Sequence, residues 1–274
     1  MNGALAYGAI EAGPLAIRLW WWAAAASLAT GVLALALQTV DTRTLAGVNV
    51  WIKPTKFGFS LALHMATLAL VAALVSPGEW QGRILLVIAA LSIGAALVEM
   101  VWIIRQAGLA QGSHFNVSTP FHAAMYQVMA AGAVLIIGAA GVLGVMVAAD
   151  QGWSHGEALR SGIALGLVAG TALTLFTAFS IGAAMSPFVG PEVPGEVRMA
   201  LTGWSLTRGD LRVSHFLATH MLQVLPLAAL FAARWLDPPR ALAAVWLTAV
   251  AWSAITIWAW LQARSGMPFG WSAA

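Results

Sequence analysis

Cysteine is absent from all 274 residues, which excludes disulfides, thiolate metal sites and iron–sulfur clusters. Any metal must be held by His, carboxylate, Met or a cofactor. Charge is nearly as scarce: Asp, Glu, Lys and Arg make up 8% of the chain, against about 25% in soluble domains. With 61% hydrophobic residues and a mean hydropathy of +0.85, the chain reads as an integral membrane protein. Lysine is also rare, 2 Lys against 11 Arg. That bias, with the Ala and Gly richness, points to a GC-rich bacterial genome and hence to the bacterial cytoplasmic (inner) membrane. A net charge of +3 is too small and too dispersed for nucleic-acid binding. No nucleotide-binding motif is present, which argues against ATP-driven work by this chain alone. The start, MNGALAYGAIEAGPLAIRLWWW, lacks the basic region and small-residue cleavage site of a signal peptide, so the first span is expected to be retained.

What the chain does contain is apolar runs of about 20 residues, the length at which a helix crosses the hydrocarbon. Seven are predicted, at 16–37, 57–76, 84–106, 120–149, 158–185, 211–234 and 241–263. Unpaired backbone groups cannot face lipid, so all seven must be helices, and the expected fold is an all-α integral membrane bundle forming a single transmembrane domain over 1–274. An odd number places the termini on opposite sides. The links SPGEWQGR, DQGWSHGEALR and WLDPPR then lie on the N-terminal face, and the segments 38–56, 107–119 and 186–210 on the C-terminal face. Trp20, Trp21, Trp22, Trp80, Trp153 and Trp235, at the ends of runs, are expected to be interfacial anchors. Gly162, Gly166 and Gly170 recur every fourth residue and invite close approach of another helix. Thr171, Thr174, Thr177 and Ser180 continue that helix, with packing and back-bonding as their expected roles.

Lys and Arg do not fix the orientation. Eight lie on the C-terminal face (Arg43, Lys53, Lys56, Arg105, Arg198, Arg208, Arg212, Arg264) and five on the other (Arg18, Arg83, Arg160, Arg234, Arg240). Excess positive charge would put the C-terminal face in the cytoplasm. Setting aside the five beside the polar cluster described next (Lys53, Lys56, Arg105, Arg208 and Arg212) reverses the sign.

Five of the six histidines and the mid-span carboxylate fall in one half of the membrane. At about 1.5 Å rise per residue, His64 is roughly 12 Å deep after Lys56, and Glu99 is roughly 10 Å deep before Gln106. His215 and His220 follow the predicted N-cap Asp210 at roughly 7 and 15 Å. His122 stands in the first turn after the Thr119-Pro120 start signal, with His114 and Asn116 in the loop ahead of it. A carboxylate within a span costs several kcal/mol, roughly 2.5–3.5 for Asp on insertion scales, and so implies a function and a partner. Candidate partners for Glu99 are Arg105, His64 and His220. Ser92, Glu99 and Gln106 form a stripe along one helix face. His215 and His220, five residues apart, project about 140° apart and do not share one ion. Pro226 frees the carbonyl of Leu222 near His220 and Gln223.

At WIKPTKF, VEMVWIIRQAGLAQGSHFNVSTPFH and TRGDLRVSHFLATHMLQVLPL the chain resembles a group of multi-pass bacterial membrane proteins marked by Lys-Pro-x-x-Phe-like, Ser-His-Phe-Asn and Gly-Asp-Leu-Arg elements. The likeness covers about residues 50 to 227 and implies a membrane bundle, with no particular chemistry. Seven-span zinc hydrolases related to ceramidases and adiponectin receptors pair late histidines as His-x-x-x-His, a spacing that His215 and His220 do not keep.

Three functions follow from this pattern. One is a redox-type membrane protein with haem b or a non-haem transition metal held by His64, His122, His215 and His220. Glu99 would be its catalytic carboxylate, Lys53, Lys56, Arg105, Arg208 and Arg212 would bind haem propionates or an anionic substrate, and a quinone would be a possible redox partner. The second is a proton-coupled transporter or channel for a small anionic solute, with Glu99 and the histidines as a relay. The third is a non-catalytic assembly subunit in a homo- or hetero-oligomer, its histidines bonding helices together.

Overall fold

The computed structural model describes residues 2–269, and the side chains of residues 13–78 and 80–269. The chain is 73% helical with essentially no sheet, and its seven helices are all long and apolar enough to cross a membrane. It is a multi-pass membrane protein. The order is α1 (Asn2–Val40), β1 (Thr44–Leu45), β2 (Val48–Asn49), α2 (Ile52–Ala72), α3 (Glu79–Gly108), α4 (Pro120–Ala149), α5 (Glu157–Ala184), β3 (Phe188–Val189), β4 (Gly209–Asp210), α6 (Leu211–Trp235) and α7 (Pro238–Arg264). Two compact units divide it, Met1–Ser154 and His155–Ala274.

Helix ends follow local chemistry. Thr119 caps α4 by accepting the backbone N–H of His122 at 3.2 Å, and Asp210 caps α6 by accepting that of Arg212 at 3.0 Å, both as the start signals predict. The second helix departs from expectation. It opens at Ile52 and closes at Ala72, rather than at 57 and 76, because Pro54 is tolerated in a first turn whose N–H groups have no intrahelical partner. Lys53 and Lys56 therefore ride on the helix instead of preceding it. Ser76-Pro77-Gly78 breaks the chain, and α3 begins at Glu79, absorbing most of the expected link.

In the first unit α1 packs on α2 and α3, and α4 on α3. The backbones of α1 and α2 nearly touch at Gly31 and Gly58: a methyl on Gly31 would lie 3.1 Å from the Phe59 amide. Trp20 corrects an expectation. Its side chain is fully buried and donates from Nε1 to Ser92 Oγ at 3.1 Å, whereas Trp22, Trp80 and Trp235 are about 70% exposed, as anchors should be. A two-residue turn, Ala46-Gly47, with positive φ at both positions (50° and 76°), joins β1 to β2. Asp41 holds this hairpin. Its carboxylate accepts from Arg43 Nε and Nη2 at 2.9 and 2.7 Å and from Trp51 Nε1 at 2.7 Å, and the Arg43 bonds above all push it well below the usual carboxylate range. Arg43 Nη1 also donates to Gly108 O at 3.0 Å, tying the hairpin to the end of α3.

In the second unit α6 is sandwiched between α5 and α7. The predicted glycine face of α5 meets α6, where Gly166 admits the Pro226 ring and Gly170 admits Leu222. Thr177 Oγ1 back-bonds to Leu173 O at 2.9 Å, and Ser180 Oγ accepts Trp260 Nε1 at 2.9 Å, the packing roles expected of that stripe.

Candidate functional site

Ser92, Glu99 and Gln106 are all buried along one face of α3, each with different company. Ser92 meets Trp20. Gln106 Nε2 donates to Gly112 O at 3.1 Å, and Trp102 Nε1 to Ser113 O at 3.0 Å. These two bonds fold the 109–119 loop back onto α3. His114 is thereby carried toward Glu99, its Nε2 standing 4.0 Å from Glu99 Oε2. Lys53 Nζ, from the first turn of α2, lies 2.9 Å from the other ring nitrogen, Nδ1.

This arrangement fixes the imidazole's tautomer. An ammonium can only donate, so Nδ1 carries the lone pair and Nε2 the hydrogen, aimed at the carboxylate. Burial first, and the Lys53 charge second, push His114 down to about 3, so the ring is neutral at ordinary pH. Phe57, Phe115 and Tyr126 surround it with ring centroids 5.8, 6.3 and 6.4 Å away. Glu99 itself is 2% exposed, and among the described residues neither carboxylate oxygen has a hydrogen-bond partner. Its Oε1 faces Gly132 of α4, where a methyl would come within 3.2 Å.

A cleft of about 130 Å³ opens beside this line. Lys53, Gln111 and His114 form its polar side, and Leu45, Val50 and Ile103 its apolar side.

The expected partners of Glu99 within this unit are engaged elsewhere. Arg105 donates to Gln106 Oε1 at 2.8 Å and lies over the Trp102 ring at 5.3 Å. His64, deep in α2, bonds through Nε2 to Ile136 O of α4 at 3.0 Å. His122 bonds through Nδ1 to Thr119 Oγ1 at 2.8 Å, and its buried Nε2 has no hydrogen-bond partner among the described residues. Lys56 is exposed one turn beyond Lys53. Asn116 Nδ2 donates to Gly112 O at 3.2 Å, supporting the loop without touching the ring.

In the second unit, Thr177 Oγ1 donates to the α5 backbone, so His215 Nδ1, 3.0 Å away, donates to it. His220 meets Phe216 with ring centroids 4.1 Å apart and the planes tilted by 57°, and bonds Gln223. The two histidines thus serve different neighbours, as their spacing requires. Arg208 donates to Glu196 at 3.0 and 3.3 Å, and Arg212 pairs with Asp210 and donates to Gly203 O at 2.8 Å. Three guanidiniums, from Arg198, Arg208 and Arg212, lie 5.1, 4.3 and 4.8 Å from the Phe188 ring. The hydrogen bond from Arg208, then that from Arg198, hold Glu196 down at about 2. Arg208 and Arg212 are matched by carboxylates within their own unit.

Among the described residues, no three His, Asp or Glu side chains are grouped so as to hold a metal ion. No protein-family model, curated protein or solved structure matches the chain.

Proposed function

We propose that this chain is a bacterial cytoplasmic-membrane protein that moves protons in step with a small anionic solute, and that Lys53, His114 and Glu99 form its proton relay. One observation carries the reading: a mid-span carboxylate without hydrogen-bond partners faces the N–H edge of an imidazole whose opposite edge receives a lysine amine. An ionisable group in a span is costly unless it works, and this one is in line with an amine that borders a cleft.

The transfer balances. Lys53 gives a proton to His114 Nδ1 as His114 gives its Nε2 proton to Glu99, so an ammonium and a carboxylate become an amine and a carboxylic acid. The imidazole ends in its other tautomer and must reset before the next cycle. A separation of 4.0 Å exceeds a hydrogen bond, so the second half of the step waits on a small closure or an intervening water. That gap is the natural gate.

The experiment is proton uptake into proteoliposomes carrying an internal pH dye, driven by an imposed inward gradient of a small organic anion, with protein-free vesicles as the baseline. Glu99→Gln, which keeps the shape and removes the titrating group, is expected to lower uptake at least tenfold. His114→Ala should do the same while leaving Glu99 in place. Wild-type rates in Glu99→Gln would end the proposal.

A metal or haem b centre, with a quinone as redox partner, is the second reading, and His122 is what favours it: its Nε2 is buried without a partner. A Soret band, or stoichiometric metal in the purified protein that is lost in His122→Ala, would move the assignment there.

A further inference from the structure

The cleft beside the relay has the two-sided chemistry of an amphiphilic small ion. At about 130 Å³ it has roughly the volume of four waters, well below the 300–1,000 Å³ of sites for larger organic ligands. Among the described residues that line it the cation is Lys53, whose ammonium has three N–H groups and gives one to His114. Among the described residues no carboxylate pairs directly with Lys53, and Glu99 acts on it only through its charge from behind the imidazole. Val50 and Ile103 form a buried apolar wall, and Leu45, 43% exposed at the hairpin, stands at the mouth. A hydrated inorganic anion would satisfy the amine and leave that wall without a partner. A dicarboxylate would bring a second charge against hydrocarbon.

We infer that the cleft binds a short-chain monocarboxylate, its carboxylate on Lys53 and its hydrocarbon end against Leu45, Val50 and Ile103. The binding site stands on the cleft alone; its coupling to protons rests on the relay reading. If both hold, then once Lys53 has regained a proton from the cleft, an anion on its ammonium and the proton already on Glu99 favour one another, because together they leave the site neutral. The pair would cross as a neutral sum.

The test uses the purified full-length protein in nanodiscs, titrated calorimetrically with acetate, propionate, butyrate and hexanoate, with chloride as the competitor. Burying each added methylene should tighten binding about fourfold from acetate to butyrate, and hexanoate should lose that gain because the cleft is full. Lys53→Gln should weaken butyrate at least tenfold. Leu45→Trp, at an exposed position that folding tolerates, should block the mouth and abolish binding while Lys53 is intact. A flat chain-length series, chloride displacing butyrate at equal concentration, or unaltered binding in Leu45→Trp would overturn the inference. The two readings fail separately. Butyrate binding with Glu99-independent proton flux would sink the relay alone, and Glu99-dependent flux with no carboxylate bound would sink this site alone.

Discussion

At the scale of the residue, the site turns on one imidazole held neutral between an amine and a carboxylate. His114 keeps its lone pair in the fold down to about pH 3, whereas an unfolded histidine takes a proton near 6.5. Between these values the unfolded chain binds more protons, so stability falls as pH falls through that window. His114→Gln is expected to flatten this part of the profile, read as melting temperature in detergent at pH 7 and pH 5; Lys53 and Glu99, the charged groups facing the ring, are present in both proteins. Glu196 acts lower. Its stabilisation is complete above about 4.5 and is lost as pH falls toward about 2, so Glu196→Gln should melt lower than wild type at pH 7 and converge with it near pH 2. Glu99 was legible in the sequence, since a carboxylate in an apolar run has a large energetic signature. Its partner was not. Depth and spacing along the helices offered Arg105, His64 and His220, but the connecting loop folds inward on Gln106 and Trp102, and such a fold-back leaves no periodic trace.

At the scale of the element, small residues set the spacing. Gly166→Val would force bulk against Pro226 and the Met221 carbonyl, where a methyl alone would come within 3.0 and 3.1 Å, and should destabilise the protein by about 1–3 kcal/mol. Gly94→Ala on α3 is the control. Nothing lies within 4 Å of its new methyl, so helix propensity alone predicts a gain of up to about 1 kcal/mol. Chemical denaturation followed by tryptophan fluorescence would separate the pair. Thr119→Ala, which deletes the α4 cap, is expected to lose about 1 kcal/mol by the same measurement. The α5 glycines announced themselves by their four-residue repeat. Gly31 and Gly58 did not, because a single glycine on each of two helices carries no rhythm. The early start of α2 was missed for a related reason: proline reads as a boundary until the first turn's idle donors are considered.

For the whole molecule, alternation of seven helices puts the Ala46 hairpin and the Gln151 turn at opposite ends of the first unit, each end tied by a bond between its own loops, Arg43 to Gly108 and Ser76 N–H to Asp150 at 2.8 Å. Because the native chain has no thiol, Ala46→Cys and Gln151→Cys each carry a single one. In sealed vesicles an impermeant maleimide should reach only one of the two from outside, and which one settles the orientation that the arginine count left open. Equal labelling from one side would end the spanning topology. The cations show a division of labour. Arg198, Arg208 and Arg212 gather on carboxylates and the Phe188 face, while Lys53 borders the cleft. The protein's other side-chain amine is the exposed Lys56, so Lys56→Arg leaves Lys53 as the one side chain that a small acylating reagent can take. In that variant, purified, covalent capture at Lys53 with butyrate shielding it would turn the pocket into its own reporter.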